Sequence, residues 1–182
     1  MEITETPLSG IKIIDPKIFG DRRGYFFEAW NRREFAAHGI DCEWIQDNES
    51  RSRFGVLRGL HFQAAPYTQA KLVRVIEGRV LDVAVDIRKN SPTFGQHVTV
   101  ELSGENKRLL FIPRGFAHGF AVLSEEAVFS YKCDNLYMPQ SERGIAFDDP
   151  ALGIDWRISP QEWILSDKDK KNPPFSEAEY LE

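Results

Sequence analysis

Apolar residues in this chain recur in short runs, not at helical spacing, and the runs are rich in β-branched and aromatic side chains. Gly, Pro, Asn and Asp separate them from end to end, a pattern that predicts a mainly β fold. The expected strands are Gly24 to Trp30, Val56 to Phe62, Lys71 to Ile76, Arg79 to Ile87, His97 to Leu102, Leu109 to Ile112, Phe116 to Leu123 and Val128 to Cys133. Glu77-Gly78 is a two-residue break and predicts a tight hairpin. From Arg79 to Ile87 the alternation is regular, with Leu81, Val83, Val85 and Ile87 on one face and Asp82, Ala84 and Asp86 on the other. The acidic face either meets solvent or lines the polar interior of a barrel, where Asp82 would orient a base; periodicity leaves both open.

Helical signal is confined to two places. Asn31 is placed to cap the run Arg32-Arg33-Glu34-Phe35-Ala36-Ala37-His38, and Gly39 to end it. A weaker one lies at Ser159-Pro160-Gln161-Glu162-Trp163, where Ser caps and Pro takes the first helical position. No internal repeat or linker interrupts the chain, so residues 1–182 read as one domain. The tail after Lys168 is charged, contains Pro173-Pro174 and reads as a frayed end.

Composition narrows the function classes. At 182 residues, 42% of them hydrophobic, the chain is long enough to bury a core without disulfides or a structural metal. A net charge of -5 argues against nucleic acid, whose binders carry a basic excess, and leaves room for an anionic small ligand if Arg and Lys gather locally. Cys42 and Cys133 fit no metal-ligand spacing and are too few for a disulfide framework, which suits a reducing compartment. The first residues lack the basic start and apolar run of a signal peptide, and no stretch approaches eighteen apolar residues. A cytoplasmic protein with no membrane partner is expected.

The candidate chemistry centres on His61, in Val56-Leu57-Arg58-Gly59-Leu60-His61-Phe62. A histidine among apolar neighbours is by default a hydrogen-bonded core residue. On a strand, however, Gly59, His61 and Gln63 project to one side, which predicts an open place beside a titratable ring suited to general base catalysis. His118 follows Pro113-x-Gly115, and a strand would put it on the face of Phe116 and Phe120. That Pro-x-Gly-x-x-His pattern resembles the second motif of the cupin superfamily. Metal cupins add His-x-His and a Glu in the first motif; here His61 stands alone before Phe62 and Gln63, too few ligands for a metal site. Tyr131 shares a face with Phe129 and Cys133 and is by default core. Lys71 opens its strand and could stabilise a developing enolate. Arg23, Arg58, Lys71 and Lys168 are candidates for holding a diphosphate, with no Gly-rich loop to share the task.

These segments in order closely resemble the dTDP-4-dehydrorhamnose 3,5-epimerase family of the cupin superfamily. The resemblance runs from Phe19-Gly20-Asp21-Arg22-Arg23-Gly24 through Gln46-Asp47-Asn48, Gly55 to Gln63, Lys71-Leu72-Val73-Arg74, Asp82 to Arg88, Ser91 to Gln96 and Ile112 to Phe120, ending at Leu165-Ser166-Asp167-Lys168-Asp169. It implies a jelly-roll of two antiparallel sheets with a few short peripheral helices, a homodimer, a dTDP-sugar substrate and no cofactor. It implies that His61 is the base at C3 and C5, that Asp169 pairs with it, that Tyr131 returns a proton from the opposite face, and that Lys71 stabilises the enolate. Asp82 and His118 would support the base. Binding would fall to Arg23, Glu28, Gln46, Asn48, Arg58, Lys71, His118, Tyr137, Glu142 and Lys168, with the Arg23–Glu28 segment reaching a neighbouring subunit. Without the resemblance, Asp167-Lys168-Asp169-Lys170-Lys171 reads as a solvated charge run. Rival readings are an epimerase acting at C3 or C5 only, a non-catalytic sugar-nucleotide-binding cupin, and a metal cupin such as a dioxygenase.

Overall fold

The computed structural model of the chain describes residues 1–180. Its strands are β1 (Glu2–Glu5), β2 (Lys12–Asp15), β3 (Phe19–Asp21), β4 (Gly24–Phe26), β5 (Gln46–Arg53), β6 (Leu57–Gln63), β7 (Lys71–Glu77), β8 (Arg79–Asp86), β9 (His97–Ser103), β10 (Leu109–Ile112), β11 (Phe116–Val122), β12 (Glu126–Cys133) and β13 (Glu142–Gly144), with a helix α1 (Arg32–Ala37) after β4. One antiparallel sheet has the order β1-β2-β10-β7-β12-β5 and faces a second, β13-β6-β11-β8-β9, in a jelly-roll.

Burial follows the alternation. Between the sheets, Val73, Val75, Leu110, Ile112 and Phe129 meet Val80, Ala84, Val100, Phe116, Phe120 and Val122. Leu81, Val83, Val85 and Ile87 point out of the second sheet, where Ile145, Phe147, Leu152, Trp156 and Ile158 of the C-terminal third cover them. Phe35 of α1 and Ile40 cover Ile14, Leu72, Leu109 and Phe111 on the outer face of the first sheet. Both faces of β8 are therefore buried. The acidic side chains Asp82 and Asp86, each 0% exposed, lie inside and not in solvent.

Several local expectations change in the folded chain. Glu77-Gly78 is not a hairpin, because β7 and β8 belong to different sheets. It is the corner where the chain crosses between them, and Gly78, at φ +78°, is required because a Cβ there would meet the Glu126 carbonyl oxygen. The strand expected from Gly24 to Trp30 stops at Phe26 and pairs only with β3 in a hairpin off both sheets, where Phe26 is 69% exposed. Asn31 caps α1 as expected, its Oδ1 accepting from the Glu34 N–H at 3.2 Å. The Ser159–Trp163 signal yields only a 3-10 turn, Pro160–Glu162, with no side-chain cap from Ser159. As far as residue 180 the tail is not frayed, since Phe175 and Tyr180 pack against the cover of the second sheet; residues 181–182 lie outside the described residues.

Asp86 ends β8 in a knot. Its carboxylate accepts from the Arg88 backbone N–H at 3.0 Å, from Arg88 Nε and Nη2 at 2.9 and 2.7 Å, and from the Ser91 and Thr93 hydroxyls at 2.6 Å each. Burial alone would raise this carboxyl, but those donors reverse the shift and hold it well below the usual range. The stability this gives is full above the unfolded value near 3.8 and is lost as pH falls below it. Asp86→Ala should cost about 3 kcal/mol near neutral pH, or about 6–12 °C in Tm, and the gap to wild type should narrow in acid. Thermal unfolding at pH 7 and pH 3 checks it; equal losses at both would contradict the ionic account.

Candidate active site

The cleft opens between the two sheets, about 530 Å³ in volume, with β6 and β11 on one wall and β5, β7 and β12 on the other. In β6–β11 the register slips: Arg58 pairs with Phe120 and His61 with His118, so Gly59 and Leu60 stand opposite Gly119 alone. In a regular strand Arg58 and His61 would face opposite sides. The extra residue brings both into the cleft. Gly59 does not leave the open place the sequence suggests; β11 fills it, and a Cβ there would lie 2.6 Å from the Gly119 Cα. Gln63 turns away from the cleft to donate to the Tyr67 and Leu136 carbonyls at 2.6 and 3.1 Å.

His61 Nε2 lies 2.5 Å from Asp169 Oδ1. Among the described residues Nδ1 has no protein hydrogen bond, so one nitrogen is fixed and the other is available to the cleft. Asp169 is only 4% exposed, whereas Asp167 in the same charge run has a 94% exposed side chain. Burial pushes the Asp169 carboxyl up, but the hydrogen bond and charge of His61, with help from Ser166, outweigh this and hold it low. It stays a carboxylate. The Ser166 hydroxyl accepts from the Asp169 backbone N–H at 3.1 Å and closes the turn that aims it.

Behind this pair, His118 Nε2 lies 3.0 and 3.1 Å from the Asp82 carboxylate and stacks on Phe129, ring centroids 6.1 Å apart. Burial raises the Asp82 carboxyl and lowers the His118 imidazole, with their mutual attraction opposing both shifts. The facing wall carries Tyr131 and Lys71. Tyr131 pairs with Asn48 and Val73 in the sheet and Lys71 with Cys133, a register that turns Lys71, Tyr131 and Asn48 inward together. Burial pushes the Tyr131 phenol up to about 12 and lowers the Lys71 ammonium. The Lys71 Nζ stands 5.8 Å from the Tyr131 ring centre.

At the mouth, Glu142 accepts from both the Tyr137 hydroxyl and Lys168 Nζ, joining the loop after β12 and the C-terminal segment to β13. Burial raises this carboxyl, and the two donors more than offset it. Gln46 Nε2 donates to Asn48 Oδ1 at 3.0 Å, while Gln46 Oε1 accepts from the Tyr137 N–H at 2.9 Å. Arg58 donates to Ser52 Oγ at 3.1 Å through Nη2. Arg23 and Glu28 are not brought to this cleft: Arg23 is exposed on the β3–β4 hairpin and paired with Asp21 at 2.6 Å, and Glu28 accepts from Asn31 at 3.3 Å. Among the described residues, no group of three or more His, Cys, Asp or Glu is arranged to hold a metal ion, and no helix is long and apolar enough to cross a membrane.

The family model described as dTDP-4-dehydrorhamnose 3,5-epimerase matches residues 5–177. The chain belongs to that family. It is 52% identical to the dTDP-4-dehydrorhamnose 3,5-epimerase of Shigella flexneri, over 100% of this chain and 99% of that protein. The crystal structure of the enzyme of that name from Elizabethkingia anophelis NUHP1 superposes with a TM-score of 0.93 at 53% identity, covering 97% of each chain. That of dTDP-6-deoxy-D-glucose-3,5-epimerase from Legionella pneumophila, in complex with dTDP-4-keto-L-rhamnose, gives 0.93 at 52% identity, over 97% of this chain and 93% of that one.

Within this epimerase-family cleft, residue-by-residue reading missed Ser50, Ser52, Ser166 and the whole of β5. The two segments concerned, β5 with its serines and the Ser166 turn, each carried a signal. Gln46-Asp47-Asn48-Glu49-Ser50-Arg51-Ser52-Arg53 alternates neutral polar and charged residues, and the structure turns the neutral set inward and exposes the charged one. A strand lining a polar cleft alternates in charge, not in hydropathy. Ser166-x-x-Asp169 has the spacing of a helix-capping pair, which marks an ordered turn within the apparent charge run.

Proposed function

We propose that this chain, acting as one domain, converts dTDP-4-dehydro-6-deoxy-D-glucose to dTDP-4-dehydro-L-rhamnose by inverting C3 and C5. The observation that carries this reading is the placement of the His61–Asp169 pair and Tyr131 on facing sheets of one cleft, in a chain of this family. Protons at C3 and C5 are acidic because the C4 ketone delocalises the resulting charge. His61 removes them through the ring nitrogen not held by Asp169, and the Asp169 carboxylate stabilises the imidazolium that forms. Lys71 supports the enolate oxygen at C4. Tyr131, held at about 12, keeps its proton at neutral pH and delivers it from the opposite wall. Inversion requires two walls, since one group working on one face would restore the starting centre. Asp82 and His118 form a buried polar support beside the base. This chemistry calls for no hydride carrier and no metal.

For the nucleotide, Arg58 and Lys168 take the diphosphate, Tyr137 stacks on thymine, and Gln46, Asn48, His118 and Glu142 complete the binding surface. Arg23 and Glu28 serve the site of a second copy in a homodimer. The β3–β4 hairpin that carries Arg23 exposes Phe19, Tyr25 and Phe26 at 53%, 58% and 69%, an apolar surface suited to a partner. The free thiols Cys42 and Cys133 favour a cytoplasmic setting. The test is proton NMR of the dTDP-keto sugar in D2O with the protein, which should sediment as a dimer. Deuterium at both C3 and C5 with inverted couplings is expected. Label at one centre would make it a mono-epimerase, label at neither would leave a binding protein, and activity lost to chelator would point to a metal cupin.

A further inference from the structure

We infer that Gly144 is a positioning residue: by leaving room for Asn172 it sets the approach of Asp169 to His61. The inference rests on the reading of His61 as the base.

Gly144 pairs directly with His61 across β13 and β6. Opposed residues in an antiparallel pair project to the same face, so a side chain at position 144 would emerge beside the imidazole. Asn172 occupies that space. A Cβ built on Gly144 would lie 2.2 Å from Asn172 Oδ1 and 2.4 Å from its Cγ. Gly144 does not have the left-handed backbone of the glycines at positive φ, so only the space it leaves demands a glycine there. The Asn172 Nδ2 is buried without a hydrogen-bond partner, which fits an amide held by contact.

Asn172 closes the 3-10 turn Asp169–Lys171, its N–H donating to the Asp169 carbonyl at 3.4 Å. The chain beyond is fixed. The Pro173 carbonyl accepts from the Ala146 N–H at 2.7 Å, the Phe175 N–H donates to Asp149 Oδ2 at 2.5 Å, and the Phe175 ring packs 5.0 Å from that of Phe94. A residue larger than Gly at 144 cannot push Asn172 toward the anchored tail. The clash is with the end of the Asn172 side chain, whose Nδ2 is already buried, so relieving it moves that amide and, behind it, the turn that carries Asp169.

Gly144→Ala should lower kcat about tenfold to a hundredfold, as an ångström-scale misplacement does. KM should rise less than kcat falls, since of the groups assigned to the nucleotide only Lys168 and Glu142 adjoin the turn. The downfield N–H resonance of the His61–Asp169 pair, recorded without substrate, should weaken. Adding Asn172→Ala removes the atoms in conflict and should restore both turnover and the resonance, whereas Asn172→Ala alone should stay within about threefold of wild type. Asn172→Leu enlarges the same contact from its other side and should mimic Gly144→Ala, so the inference is testable even if one variant folds poorly. Wild-type turnover with an unchanged resonance in Gly144→Ala would overturn it, as would a double variant no better than the single. The resonance reads the pairing without turnover: a wild-type protein that exchanges no label sinks the catalytic reading and leaves this one to be judged on the spectrum.

Discussion

His61→Asn should abolish deuterium incorporation at both C3 and C5, a loss of about 10²–10⁴ in rate, while the protein stays folded. Geometry sets this expectation. His61 is one side chain at the cleft wall with one nitrogen tied to Asp169 at 2.5 Å, and among the described residues the other has no protein partner. An asparagine amide reaches only as far as the ring's Nδ1, so it cannot accept a proton and leaves Asp169 to be hydrated from the cleft. The core between the sheets does not include His61, so the fold should survive, with Tm lowered by about 2–12 °C for the carboxylate that loses its partner. Exchange at one centre but not the other would assign a second base. Full exchange at both would remove the assignment of His61.

Tyr131→Phe should separate two events that wild type couples. Abstraction by His61 and its reversal on the same face still exchange label with solvent, so washout should persist within about tenfold, while formation of the inverted product falls by about 10²–10⁴. The phenol and the imidazole come from different sheets, Tyr131 from β12 and His61 from β6, and a planar enolate between them is open to each from one side only. The substitution keeps the ring that packs with Phe129 at 5.9 Å and removes only the hydroxyl, so folding should not confound the result. Parallel loss of washout and inversion would contradict a two-sided mechanism. Unchanged inversion would give the acid's role to another group or to water.

Seven of the eight expected strands, β6 to β12, agree with those found because apolar alternation decides which residues can be buried, whatever the partner strand. Leu109–Ile112 coincides with its expectation, and β6, β7, β8, β9, β11 and β12 differ from theirs by a residue or two at their ends. Where that signal is missing, reading fails. β5 has no apolar side chain, and the β3–β4 hairpin has apolar residues but no sheet to bury them. Gly78 shows the same limit at a corner: its dipeptide suits a hairpin, and only the crossing between sheets, with the Glu126 carbonyl packed against it, makes it a change of layer.

What the sequence by itself determined was the seven strands β6 to β12, the shared face of Phe116, His118 and Phe120, and, through resemblance, the family and the residues to watch. Those rest on local alternation and on motif order, which are properties of the chain alone. Only the tertiary structure decided that Arg58 and His61 share a wall, that Asp169 is buried while Asp167 is not, and that Arg23 stands clear of the cleft. Each depends on contacts between segments far apart in sequence. A strand slip against a neighbour, a turn seated on a distant glycine and a hairpin with no sheet beneath it have energies set by what lies opposite, and no local pattern of residues records that.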